Sequence, residues 1–271
     1  MTDHEQRVVR TPHDSAKPNP WYVSPRPNPA AEIRLIFFPF AGGGPSAFSA
    51  WLDELPDDIE ACFAHYPGRG SRFNEPALSS LASLVEHLSQ SIQPLTDKPF
   101  AFFGHSMGAL VAFELARQMR QRNLPQPHLL FVSACGAPQI PDPCPPIHAL
   151  PDSEFLDALK GLNGTPVELS QQLEVMQLLI PVLRADFEAV EKYRFHPGEP
   201  PFDFPIVAFG GLDDPRVSRE RLAGWALQTN ARFETEYFPG DHFFVHSVKG
   251  SIMRVITEEI RTSFARNRKS I

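Results

Sequence analysis

Apolar residues come in short, nearly unbroken runs at 33–40 (IRLIFFPF), 61–66 (ACFAHY), 100–105 (FAFFGH), 129–135 (LLFVSAC) and 206–210 (IVAFG). Each run is rich in β-branched or aromatic residues and ends near Gly, Pro or Ser. A strand with one wet face would alternate apolar and polar positions. These runs do not alternate, so they predict strands buried on both sides, as in a parallel sheet covered by helices. Between the runs the period changes to three and four residues, at 78–92 and 107–120. In the second stretch Met107, Leu110, Val111, Leu115 and Met119 fall on one helical face. Strand–helix alternation of this kind predicts an α/β architecture with a mostly parallel, doubly wound sheet.

The alternation stops between Ala137 and Phe204, where no strand-like run occurs and two helical stretches do. Thr165-Pro166-Val167-Glu168 places Thr at a capping position, Pro at the first helical position and Glu three after the cap, which marks a helix start. That helix should run towards Tyr193 with a kink or break near Pro181, a residue that cannot donate its N–H. A helical insertion between strands is read as a lid over the ligand crevice, at about 137–204. Its Leu173, Met176, Leu179, Ile180 and Leu183 supply apolar surface that either shapes a pocket or packs on the body. At the other end, prolines recur among polar residues with no hydrophobic period. Residues 1–31 therefore read as an extended or disordered arm, with Trp21 and Tyr22 as possible docking points, and 32–271 as one domain carrying the insertion.

Composition excludes several classes. No apolar run reaches 18 residues, so no membrane span is expected, and the polar start MTDHEQRVVR is not a secretory signal; a cytoplasmic location is the expectation. Cys62, Cys135 and Cys144 are too few and too irregularly spaced for a disulfide framework or a zinc site, and Cys62 and Cys135 read as buried small apolar residues. A formal net charge of −7 argues against nucleic-acid binding, which relies on clustered Lys and Arg.

Within this frame, Gly104-His105-Ser106-Met107-Gly108 follows a buried strand and opens an amphipathic helix. In such a G-x-S-x-G elbow the turn is tight enough to strain the serine backbone, and the glycines let neighbouring backbone approach. Ser106 is the predicted nucleophile. A serine hydroxyl needs a base, itself oriented by a carboxylate, and in this kind of fold the acid and then the histidine follow the serine along the chain. Of ten histidines, His242 in Pro239-Gly240-Asp241-His242 follows the strand-like RFETEYF and precedes the last helix, at a strand's C-terminal end. His246 should already lie within that helix. The acid comes from Asp213 or Asp214, after the run at 206–210. Asp214 is favoured because a residue before proline is held extended, and Asp213 would then cap the turn. Met107, after the nucleophile, should give one oxyanion-binding N–H, and the loop Phe40-Ala41-Gly42-Gly43-Gly44-Pro45 the other, from Ala41. Neither G-x-G-x-x-G nor a P-loop is present, so the glycines do not read as a nucleotide site.

The set FPFAGGG (38–44), YPGRGSRFNEP (66–76), FGHSMGALVAFELAR (103–117), LRADF (183–187), GLDDPRVS (211–218) and PGDHFF (239–244) resembles the stand-alone type II thioesterases that work beside nonribosomal peptide and polyketide synthases. The resemblance runs from Ile33 to about Ile260. It implies an α/β-hydrolase fold with a helical lid. It also implies Ser106, Asp214 and His242 as catalytic residues, with Ala41 and Met107 as oxyanion donors. The substrate would be an acyl thioester on the phosphopantetheine arm of an acyl or peptidyl carrier protein, with no metal or bound cofactor. A general fatty-acyl thioesterase or carboxylesterase is the alternative activity, and a monomer is expected. Asp241 stands where such enzymes are expected to place a second glycine, and the proline-rich arm departs from their usual start. Carrier proteins are typically acidic, so attraction by this acidic chain must be local; Arg69, Arg72, Arg216 and Arg219, in loops at the same sheet edge as Ser106, are the candidate docking residues.

Overall fold

The computed structural model describes residues 19–161 and 173–267. The apolar runs become β2 (Ile33–Phe38), β3 (Ile59–Ala64), β4 (Phe100–His105), β5 (Leu130–Ser133) and β6 (Ile206–Gly211), with every residue buried. The strand-like segment before His242 is β7 (Phe233–Phe238), half-exposed at the sheet edge. These six strands are parallel, and β1 (Tyr22–Val23) adds antiparallel to β3 at the other edge, giving the order β1-β3-β2-β4-β5-β6-β7.

Successive residues along each strand face opposite layers, which is why continuous apolar runs were needed. Ile36 and Phe38 join the layer beneath α1 (Leu81–Ser91) and α2 (Met107–Gln121), with Leu84, Leu88, Val111 and Leu115. Leu35 and Phe37 face the other layer, with Phe48, Trp51 and Phe103 and with Ile252, Ile256 and Ile260 of the C-terminal helix. Because β2 lies between β3 and β4, the chain leaves it first to one side and then returns to the other. That reversal opens a crevice at the strands' carboxyl ends, where open α/β sheets bind ligands.

Part of the segment read as an extended or disordered arm is packed. Asn19 to Ala31 run along the body: Trp21 and Tyr22 are buried, Tyr22 Oη donates to the Leu88 carbonyl at 3.2 Å, and Trp21 stacks on His87 with ring centroids 4.9 Å apart. Residues 1–18 lie outside the described residues.

The insertion holds α3 (Asp152–Lys160) and α4 (Leu173–Glu191). The predicted start at Thr165 falls outside the described residues. Of the kink or break expected at Pro181, the break does not occur: α4 runs on through it. Pro181 and Gln177, one turn back, are both exposed, so the carbonyl that proline leaves unpaired can bond to water. Met176, Ile180 and Leu183 form a small core with Phe155 and Leu159, tying the two helices together. Arg184 crosses between them, donating to the Leu150 carbonyl at 2.8 Å and to Asp152 at 2.6 Å. Beyond the insertion come α5 (Arg219–Ala223), α6 (Phe244–Ser247) and α7 (Lys249–Asn267). Among the described residues no helix is long and apolar enough to cross a membrane.

Candidate active site

Strand β4 ends at His105 and α2 begins at Met107, so the whole turn is made at Ser106. Its backbone sits at φ 54°, ψ −118°, a region that non-glycine residues avoid. The flanking glycines are sterically required. A Cβ on Gly104 would lie 2.3 Å from the Gly108 carbonyl oxygen, and one on Gly108 would lie 1.9 Å from that of Phe38. Met107 is the first helical residue, so its N–H has no partner within the helix.

The loop after β6 brings Asp214 inward and the loop after β7 brings His242 beside it. Asp214 Oδ2 lies 2.9 Å from His242 Nδ1, and His242 Nε2 lies 3.0 Å from Ser106 Oγ. The Asp214 side chain is 0% exposed and its second oxygen accepts the Arg216 N–H at 2.8 Å. Asp213 is exposed; the turn-capping bond expected of it is made instead by Asp214. The two loops fit tightly, since a Cβ on Gly211 would lie 2.4 Å from the Asp241 carbonyl oxygen. Asp241, the departure from the usual glycine, accepts the Phe243 N–H at 2.8 Å and so helps start α6. His246 lies within that helix, stacked on Phe243, and burial lowers its pKa. His105 points away from Ser106's hydroxyl into the sheet, where Nδ1 meets Ser133 Oγ at 2.9 Å. Burial and the neighbouring His242 and His246 push its pKa well down, so it stays neutral.

The glycine loop, which lines the same cavity as Ser106, has two of its N–H groups tied down. Gly43 N–H donates to the Phe40 carbonyl at 2.8 Å, and Gly42, at φ 77°, donates to Asp186 Oδ2 at 2.7 Å. Ala41 N–H has no acceptor among the described residues. Ser106, Met107, Ala41 and His242 all line one cavity of about 1180 Å³. Of the apolar residues nominated for an acyl pocket, Leu179 and Leu183 reach this cavity. Met176 and Ile180 pack against Phe155 and Leu159 instead, and the side chain of Leu173 lies outside the described residues.

The nominated docking arginines divide. Arg69 is buried and forms a bidentate ion pair with Asp186, at 2.6 and 2.8 Å. Arg72 is buried too, paired with Glu75 at 2.6 Å and lying 4.2 Å above the Trp21 ring. Neither is available to a partner, and the docking expectation fails for both. Arg219 is exposed, with its guanidinium 4.4 Å from the Tyr237 ring centroid, and Arg216 is partly exposed, 3.6 Å from Asp142. Asp186 was not singled out as a site residue. The available signal was a carboxylate among Leu183, Phe187 and Val190, on the inward positions of an otherwise amphipathic helix.

The thioesterase domain family matches residues 33–260. Gramicidin S biosynthesis protein GrsT of Aneurinibacillus migulanus is 44% identical over 247 residues, covering 91% of this chain and 96% of GrsT. A protein named linear gramicidin dehydrogenase LgrE, of Brevibacillus parabrevis, is 40% identical over 248 residues, 90% of this chain and 94% of its own. Among solved structures, the type II thioesterase BorB of the borrelidin biosynthetic cluster superposes with a TM-score of 0.81 at 33% identity, over 88% of this chain and 96% of BorB. On sequence and on fold alike, this chain belongs to the thioesterase family and is similar within it to the type II thioesterases of nonribosomal peptide and polyketide biosynthesis.

Proposed function

We propose that this thioesterase hydrolyses acyl or aminoacyl thioesters from the phosphopantetheine arm of carrier proteins, clearing misloaded or stalled groups from a nonribosomal peptide or polyketide synthase. The observation that carries this reading is the continuous Asp214–His242–Ser106 hydrogen-bonded line, opening on the cavity in a chain of this family. Ser106 Oγ attacks the thioester carbonyl carbon while its proton passes to His242 Nε2, and Asp214 holds Nδ1 protonated and stabilises the imidazolium. The carbonyl oxygen becomes an oxyanion facing the N–H groups of Ala41 and Met107; one such donor contributes about 10²–10³ in rate. The intermediate collapses, the carbon–sulfur bond breaks, and His242 protonates the departing pantetheine thiolate. Water then gives its proton to His242 and attacks the acyl-serine ester. Collapse frees the carboxylic acid and returns the proton to Ser106.

A cavity of about 1180 Å³ exceeds the roughly 300–1,000 Å³ of small-molecule pockets, which suits a substrate that brings both an acyl chain and a pantetheine arm. The name dehydrogenase carried by LgrE finds no support in this chain. This chain's glycine loop lacks the dinucleotide pattern, and its Gly42 N–H is already bonded to the Asp186 carboxylate and so is not open to a phosphate oxygen. Docking of an acidic carrier falls to Arg216 and Arg219. The reading is tested by comparing kcat/KM for acyl groups on a carrier protein with that for nitrophenyl esters of the same acids. The carrier substrate should be strongly preferred; equal or higher values for the simple esters would favour a general carboxylesterase.

A further inference from the structure

The hydrolytic steps above leave unused a carboxylate that is 0% exposed, on the lid helix and against the glycine loop that lines the Ser106 cavity. Asp186 accepts three hydrogen bonds, from both terminal nitrogens of Arg69 and from the Gly42 N–H. Arg69 also donates to the Gly43 carbonyl at 3.2 Å, so the pair grips the glycine loop by an N–H of one residue and a C=O of the next. One turn away on the same helix, Leu183 closes the remaining space: a Cβ on Gly42 would lie 2.5 Å from its Cδ2. Gly42 adjoins Ala41, a residue of the cavity lining whose N–H has no acceptor among the described residues.

We propose that Asp186, neutralised by Arg69, is a positioning residue for the oxyanion loop, fixing Gly42 so that the Ala41 N–H is aimed at the carbonyl oxygen attacked by Ser106. This inference rests on the hydrolytic role given to Ser106 above. Two physical points support it. First, a buried ion pair adds little net stability, because desolvation offsets the attraction; what this one supplies is fixed geometry. Second, a lone carboxylate beside a developing oxyanion would oppose the charge, and the bidentate guanidinium cancels it at short range. The second half of the lid helix is thereby part of the reaction centre's frame.

The test uses a small acyl-N-acetylcysteamine thioester, so that carrier docking does not enter. The double variant Arg69→Met/Asp186→Leu removes the Gly42 acceptor without leaving a buried unpaired charge. Its kcat should fall by about tenfold to a hundredfold, part of the 10²–10³ lost with a whole oxyanion donor, while KM stays within about threefold. Affinity for a trifluoromethyl ketone, which forms a tetrahedral adduct on the serine, should fall in parallel with kcat. Asp186→Asn keeps an oxygen for the Gly42 N–H, so it should recover most of kcat while melting at a lower temperature than wild type, because Arg69 is left unpaired. If the double variant does not fold, Asp186→Glu decides. It keeps the charge but displaces the acceptor by about one C–C bond, and should lose kcat in the same way. A folded variant of either kind with wild-type kcat, or with its loss confined to KM, overturns the inference. Ser106→Ala on the same substrate separates the two readings: if it still hydrolyses the thioester, the hydrolytic reading itself has failed.

Discussion

Ser106 is held at a backbone angle that costs about 1–3 kcal/mol, and the contacts at Gly104 and Gly108 keep it there. Such local constraint is legible in sequence, because the strand, the turn and the helix are covalent neighbours. His242 and Asp214 were legible for a related reason: each follows a strand that ends at the same sheet edge, and the proline after Asp214 restricts its backbone. The Asp214 assignment predicts unequal neighbours. Asp214→Asn should reduce turnover by about 10⁴, as expected when the histidine is held in the wrong tautomer. Asp213→Asn, altering an exposed carboxylate, should leave turnover near wild type; equal losses in the two purified variants would reverse the assignment. Arg69 and Asp186 stand 117 positions apart, and no local pattern announces that they meet. In sequence Arg69 looked like a loop cation free to dock a partner; only packing shows that it turns inward.

Helix α4 was foreseen as a lid, but which of its side chains face the cavity was not. The apolar residues span more than one face, and a periodicity cannot say which neighbour each face will meet. Leu179 and Leu183 reach the cavity, Leu183 while also packing in the core shared with α3, whereas Met176 and Ile180 belong to that core alone. This division predicts two different outcomes for one kind of substitution. Leu179→Phe should shift hydrolysis towards shorter acyl chains by filling the cavity. Met176→Phe should leave chain-length preference unchanged and lower stability by about 1–3 kcal/mol through overpacking. A panel of acyl-carrier substrates and a thermal melt of each variant read both. If Leu179→Phe leaves the preference unchanged, the acyl group is bound elsewhere. The uninterrupted passage through Pro181 escaped the sequence because breaking depends on where the lost bond points, and here it points to solvent.

At the scale of the whole molecule, buried histidines make one contribution to the response to acid. His105 is kept neutral by the sheet, and burial lowers the pKa of His65, His128 and His246 in the same direction. In the unfolded chain these rings take up protons near the ordinary histidine pKa, while the folded chain does so only at lower pH. The unfolded state then binds more protons, so stability is intact above the ordinary value and declines as pH falls below it. His105→Asn should make the pH dependence of unfolding free energy shallower between pH 7 and 5, by up to about 1.4 kcal/mol per pH unit for the one proton removed. An unchanged slope in denaturant titrations would mean that His105 is not kept neutral. The mostly parallel, helix-covered sheet was implied by strand–helix alternation, whereas the antiparallel edge made by Tyr22 and Val23 was hidden in a proline-rich segment too short to show a period. All of these scales converge on one chemical claim, that Ser106 carries the acyl group between carrier and water. Wild-type enzyme mixed with acyl-carrier protein, quenched in acid during turnover and digested, should yield the peptide containing Ser106 heavier by the mass of the acyl group. Release of the carrier's free thiol with no acyl mass on that peptide, or with the acyl group on another residue, would contradict the account.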